Sequence, residues 1–186
     1  MKAVLISINP KWVEKIASGE KTIEVRKTMP KLERPFKVYI YATWNESKKE
    51  ILVKQDGLLY CEDWRKANGL QRASGKVIGE FFCDEITEFG NNFFLPSMLW
   101  IEKEACLSGE EICKYLGEKE SGFALHITDL KIYDKAKELS EFTPICKYKG
   151  ERCEVCVFNE EAFGGCCRTL IRPPQSWCYV EELQNG

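Results

Sequence analysis

The sequence contains no run of eighteen or more apolar residues, so no part of it is long enough to cross a bilayer as a helix. It also has no excess of basic charge. Lys and Arg number 27 against 29 Asp and Glu, a formal net charge of −2, whereas proteins that coat long nucleic acids nonspecifically are usually basic. Any nucleic-acid contact must then be local, through a pocket or a short groove. There is a single histidine, His126, and no H-E-x-x-H helix, Gly-rich phosphate loop or G-x-S-x-G elbow, which leaves P-loop and serine-hydrolase chemistry without support. Internal repeats and low-complexity tracts are absent. The opening Met1–Ile8 has one charge and a short apolar run. It is too brief for a signal segment, and Asn9-Pro10-Lys11 ends it without a small-residue cleavage site. It reads as a first strand and predicts a cytoplasmic protein with no membrane contact.

What remains is ordinary in amount and uneven in distribution. With 186 residues, 44% of them apolar and 30% charged, the chain suits one domain spanning 1–186. Cysteines number ten. Cys61, Cys83, Cys106 and Cys113 are scattered and read as small buried hydrophobes, while Cys146, Cys153, Cys156, Cys166, Cys167 and Cys178 crowd the C-terminal part. Cytosolic thiols stay reduced, so this crowding points to metal or packing before disulfides. A Cys-x2-Cys pair supplies two of the four ligands of tetrahedral zinc. Cys146 before it and Cys166 or Cys167 after it complete a structural set, within a Cys-rich insertion at 145–168. Incidental reduced thiols, or a redox-active Cys166–Cys167 pair, fit the same spacing. Four thiolates would leave no open position for catalysis, and no organic cofactor is expected.

Periodicity predicts strands over Ala3–Ile8, Thr22–Arg26, Phe36–Thr43, Gly75–Phe89 and Ser176–Val180. Phe123–Tyr133 reads as a strand pair or one bent strand broken at Thr128-Asp129. Ile51–Val53 and Gly57–Tyr60 are ambiguous, Glu62–Asn68 suits a short helix, Asn91–Lys103 reads as irregular and Lys135–Glu141 as an outward connection. One helix starts at Pro10 behind an Asn9 cap and stops at Ser18-Gly19. Another runs from Gly109 to Leu116 between Ser108 and Gly117. Strands dominate and helices do not alternate with them, so the expectation is an α+β chain folded as a closed or nearly closed mixed β-barrel with short flanking helices.

The segment richest in chemistry is Gly19-Glu20-Lys21-Thr22-Ile23-Glu24-Val25-Arg26-Lys27. Side chains alternate along a strand, so Ile23 and Val25 face the core while Thr22, Glu24 and Arg26 share the other face, with Lys21 at the strand's mouth. A carboxylate two residues from a guanidinium can hold it in a fixed orientation toward a phosphate or a base edge, and Lys21 adds a second positive charge. The same spacing also suits an exposed strand face with a surface ion pair worth about 0–1 kcal/mol. If Lys21 were a nucleophile or base it would need a neutral amine, which Arg26 and desolvation favour and Glu24 opposes. A Lys/Glu/Arg group is better suited to binding than to catalysis. His126, between Leu125 and Ile127, projects away from both as a hydrogen-bonded scaffold residue or a functional one. Of the five tryptophans, Trp44 and Trp177 are the candidate pocket walls, because aromatic faces stack on bases.

Gly19, Lys21, Glu24 and Arg26, following Pro10-Lys11-Trp12, resemble the G-x-K-x-x-E-x-R signature of ASCH-domain proteins. Gly75-Lys76-Val77-Ile78-Gly79-Glu80-Phe81, Gly122-Phe123-Ala124-Leu125-His126-Ile127 and Arg172-Pro173-Pro174-Gln175-Ser176-Trp177 resemble later strands of that family, the last in a bacterial and phage branch. The resemblance implies a PUA-like β-barrel whose pocket, here Lys21, Glu24 and Arg26, binds RNA or a modified nucleoside. One small bacterial member hydrolyses the acetyl amide of N4-acetylcytidine with a lysine, a threonine and a glutamate. The lysine corresponds to Lys21 and the threonine's position is held by Glu24; Glu102 and Glu104 are candidates for the glutamate. The alternatives are therefore an amidohydrolase with Lys21 and Glu24 catalytic, a ribonuclease, or a protein-interaction module without turnover.

Overall fold

The computed structural model describes residues 1–44, 50–54, 57–61, 71–90, 96–119, 121–145 and 169–183. The chain opens with β1 (Lys2–Ile8) and α1 (Pro10–Ala17), then β2 (Ile23–Arg26) and β3 (Phe36–Ala42). β4 (Glu50–Lys54), β5 (Gly57–Cys61) and β6 (Gln71–Arg72) precede β7 (Val77–Cys83) and β8 (Ile86–Gly90). Helices α2 (Pro96–Ala105) and α3 (Gly109–Leu116) lead to β9 (Ser121–His126), β10 (Thr128–Lys137) and β11 (Trp177–Glu181).

These strands form a five-stranded sheet in the order β10-β7-β3-β1-β11 and two three-stranded sheets, β2-β9-β8 and β5-β4-β6. β1 runs parallel to β3 and antiparallel to β11. The expected α+β class is found, but the barrel is not closed: among the described residues no ladder joins the three sheets end to end. The break falls where β9 passes into β10. Asp129 takes the left-handed φ of 48°, a conformation aspartate tolerates better than most residues. The chain leaves the β2 sheet there and joins the large one, so the Phe123–Tyr133 stretch is two strands in different sheets.

Burial explains the layers. Val4, Ile6 and Ile8 on β1 and Val38 and Ile40 on β3 meet Val13 and Ile16 of α1, while Leu5, Tyr39, Tyr41, Phe142 and Val180 fill the other face. Runs buried on both faces read as continuous apolar strands, as Ala3–Ile8 does. Ile23 and Val25 pack on Met98, Ile101 and Ala105 of α2 and Ile112 and Leu116 of α3, so their predicted core side is the observed one.

From Pro96 onward, helix α2 corrects the reading of Asn91–Lys103 as irregular; residues 91–95 lie outside the described residues. Pro96 is harmless in the first turn, and Met98, Ile101 and Ala105 recur at helical spacing on the buried side, while Leu99 and Trp100 are exposed. The outward-facing aromatic masked the period. α3 follows expectation: Ser108 accepts from Glu111 N, and the Glu111 carboxylate accepts from Ser108 N at 2.9 Å, a full capping box. The connection expected at Lys135–Glu141 is strand to Lys137, then a 3-10 turn at Leu139–Glu141. Cys83 is buried as expected, whereas Cys106 and Cys113 are half-exposed. Cys61 lies in β5. Among the described residues no helix is long and apolar enough to cross a membrane.

Candidate functional site

The site begins where α1 stops. Gly19 has φ +79°, a left-handed value that an L side chain adopts only with strain, and it turns the chain so that Lys21 N donates to Lys15 O at 3.0 Å. Thr22 N donates to Glu104 O at 3.0 Å, and the Thr22 hydroxyl donates to the Glu104 carboxylate. The entry to β2 is thus tied to the last turn of α2.

Three charges converge beyond that point. Lys21 Nζ donates to Ala105 O at 2.8 Å, a carbonyl at the C-terminus of α2 where the helix dipole favours a cation. It also lies 3.3 Å from Glu24 Oε2, with the Trp12 ring centroid at 5.8 Å. Arg26 Nη2 is 2.9 Å from Glu24 Oε1 and donates to Ser7 O, at the end of β1, at 2.7 Å. Each oxygen of Glu24 therefore holds one cation. Lys21, Glu24 and Arg26 are 2%, 7% and 6% exposed. This overturns the picture of an open strand face with a surface ion pair: both faces of β2 are covered. Charges this deep must be paired and hydrogen-bonded or the fold loses several kcal/mol. One donor in the group is not: Arg26 Nε is buried with no hydrogen-bond partner.

The other sequence candidates lie elsewhere. Trp44 follows β3 and is 61% exposed. Trp177 donates from Nε1 to Thr28 O and Oγ1 at 3.2 and 3.1 Å and packs edge-on against Tyr179. His126 Nδ1 sits 2.8 Å from Asp84 Oδ1, and that hydrogen bond holds the Asp84 carboxyl below its ordinary range. Glu102 is on α2 without a described tie to the three charges, whereas Glu104 reaches Thr22. Cys146, Cys153, Cys156, Cys166 and Cys167 lie outside the described residues. Cys178 is on β11 against the apolar layer, and burial pushes its thiol up to about 11.

Sequence reading missed three contributors: the Ser7 and Ala105 carbonyls and the Trp12 ring. Only Trp12 had a local signal, its place beside Pro10-Lys11. The carbonyls come from chain positions 19 and 84 residues away from their cations, which no window reveals.

A three-sheet α+β domain with a Lys-x-x-Glu-x-Arg cluster behind its first helix defines a class of small β-rich domains, and comparison with known proteins agrees. A family model for the ASCH domain matches residues 6–160, and the chain belongs to that family. No curated protein matches it in sequence. Its fold is similar to the crystal structure of ASCH from Zymomonas mobilis, at 19% identity and a TM-score of 0.56 over 97% of this chain and 88% of that one. A tyrosine-to-phenylalanine mutant of that protein matches at 19% identity and a TM-score of 0.55, over 98% and 92% of the two chains. A serine-to-alanine mutant gives 18% and 0.56, over 97% and 89%. At such identity the likeness establishes the fold.

Proposed function

We propose that this ASCH domain binds RNA or a modified nucleoside through Lys21, Glu24 and Arg26, as a local site on a protein whose overall charge is slightly acidic. The observation that carries the reading is the gathering of three charged side chains, contributed by one short segment, into a group less than a tenth exposed. Ion clusters of this depth are expensive to build and stabilise a fold no better than apolar packing does. Ligand binding is the role we assign to this one. Trp44 and Trp177 enter this proposal only as candidate stacking surfaces.

Calorimetric titration of the full chain with short single-stranded RNA and with nucleosides tests the reading. Arg26→Ala should weaken binding at least tenfold while circular dichroism stays unchanged. Equal affinity for both proteins would remove Arg26, and with it this site, from the function.

A second reading has one observation in its favour. The Thr22 hydroxyl and the Glu104 carboxylate are hydrogen-bonded beside Lys21, and hydrolysis of an acylated nucleoside such as N4-acetylcytidine would draw on those groups with Lys21 and Glu24. Against it, the Lys21 amine is already directed at the Ala105 carbonyl and Glu24, whereas a nucleophile needs a free lone pair. Product analysis with acetylated cytidine and single-stranded RNA separates the two, and absence of product on both leaves binding alone. Structural zinc at Cys146, Cys153, Cys156 and Cys166 remains a proposal from spacing. Metal analysis of protein purified without chelator should give one zinc per chain, and a clearly substoichiometric value from folded protein would refute it.

A further inference from the structure

We propose that the group recognised at this site is a negatively charged oxygen, the phosphate of a nucleotide rather than the donor edge of a base, and that Arg26 is the residue that meets it. The proposal rests on the binding reading above and adds the chemistry of the ligand.

The partners of each charge lead to it. Both oxygens of Glu24 already face a cation, Lys21 against Oε2 at 3.3 Å and Arg26 against Oε1 at 2.9 Å. A base amine arriving here would find its only carboxylate engaged by two cations. Lys21 is likewise committed. It is 2% exposed, donates to Ala105 O at 2.8 Å, faces Glu24 and has the Trp12 ring on its remaining side at 5.8 Å. The partial negative charge at the end of α2 adds to what neutralises it. Lys21 thus fastens α2 to the entry of β2 and positions Glu24.

Arg26 is different. Its Nη2 is used by Ser7 O and Glu24, yet its Nε–H is buried without an acceptor. Two cations share one carboxylate, so the group is formally one positive charge in excess, and the missing acceptor is on Arg26. Leaving such a donor unmet is destabilising, more so when it is charged. A guanidinium offers adjacent N–H groups in the fork that phosphate oxygens match. The same oxygen would supply the absent hydrogen bond and the absent charge. Nε is buried, so the proposal requires whatever covers it to move as the oxygen arrives.

The Nε–H resonance of Arg26 reports on this directly in the full chain. Titrations with cytidine, cytidine 5′-monophosphate and inorganic phosphate, followed by 15N NMR and calorimetry, give three arms. The expected result is a large shift of the Arg26 Nε–H signal with the monophosphate and at least tenfold tighter binding than cytidine. A similar shift with inorganic phosphate alone also supports the proposal and marks the phosphate as the sufficient part. Arg26→Lys keeps the charge and removes the fork. It should lose that tenfold preference while its backbone spectrum stays dispersed. Cytidine binding as tightly as its monophosphate, with the Nε–H signal unmoved, overturns the phosphate assignment and leaves the binding site standing. No binding of any of the three or of RNA overturns both.

Discussion

Two ion clusters among the described residues, around Lys37 and around Glu24, are completed differently. Around Lys37 on β3, one cation meets two carboxylates, Glu182 at 3.0 Å and Glu80 at 3.6 Å. The second oxygen of Glu80 accepts from the Tyr133 hydroxyl at 2.6 Å, and Tyr39 OH accepts from Leu183 N at 2.9 Å. Among the described residues no fully buried side-chain polar atom there lacks a partner, and the network fastens the chain after β11 to the sheet. Around Glu24 the ratio is reversed, two cations to one carboxylate, and a buried N–H is left over. Among the described residues Arg26 Nε is the one buried side-chain nitrogen or oxygen without a partner. A complete network holds a fold together; an incomplete one keeps an unmet valence for something else.

The largest expected effect breaks the complete cluster. Lys37→Met strands two carboxylates and should cost about 3 kcal/mol, the low end for breaking a buried pair because both glutamates are partly wet. Arg26→Lys leaves a cation beside Glu24 and should cost about 1 kcal/mol. Urea midpoints of the two variants give the ratio. Equal losses would mean that the two clusters serve the same structural purpose.

A smaller effect comes from the edge of the Lys37 network. Tyr133→Phe removes a hydrogen bond to a carboxylate and should cost about 1.5 kcal/mol near neutral pH. It should also alter the alkaline response. Burial, then the Glu80 hydrogen bond, holds the Tyr133 phenol far above its ordinary value. Burial raises Tyr39 and Tyr41 and pushes the Cys83 thiol up to about 12 and Cys178 up to about 11. Burial works against the charge of Lys37, but the Glu182 hydrogen bond and the Glu80 carboxylate outweigh it and leave that group raised as well. In every case the folded chain keeps a proton that the unfolded chain releases, so stability falls as pH rises. The decline should begin near pH 9 with the thiols of the unfolded chain and steepen near pH 10 with its tyrosines. Urea midpoints across that range should fall less steeply for Tyr133→Phe.

Ser108→Ala, which removes the α3 cap, should cost about 1 kcal/mol by thermal denaturation. Because α3 packs with α2 beneath Ile23 and Val25, this change sharpens the comparison by loosening the site's support while leaving the Lys37 network intact. Trp44→Ala should change stability by less than about 0.5 kcal/mol, since the ring is mostly exposed. Any larger loss seen in RNA affinity would mark it as a stacking wall.

Most of the strands were legible because their signal is local. Alternation gave Thr22–Arg26, the β-branched and aromatic run gave Phe36–Thr43, and Asn9-Pro10 and Ser108 announced the helices they cap. The four-position motif brought the three site charges into view, and Gly19 in that motif has the left-handed turn that explains a glycine there. The depth of the site was not legible. Glu24 and Arg26 alternate with apolar residues as an exposed face would, and only the packing of β2 between α2 and the end of β1 reveals that both faces are covered. Helix α2 was lost because Trp100 points outward. With it went the Ala105 carbonyl that turns Lys21 from a free cation into a fastened one. The division of the described strands into three sheets depends on pairing between distant segments, which alternation within a strand does not encode.

Backbone amide mapping during a titration with a short single-stranded RNA would locate the ligand on the fold. The account predicts that the largest shifts fall on residues 21–26, on Ser7 and on Ala105, with the residues around Lys37 still. Saturable binding whose shifts gather elsewhere, on Leu99 and Trp100 for instance, and leave Glu24 and Arg26 unchanged would contradict it.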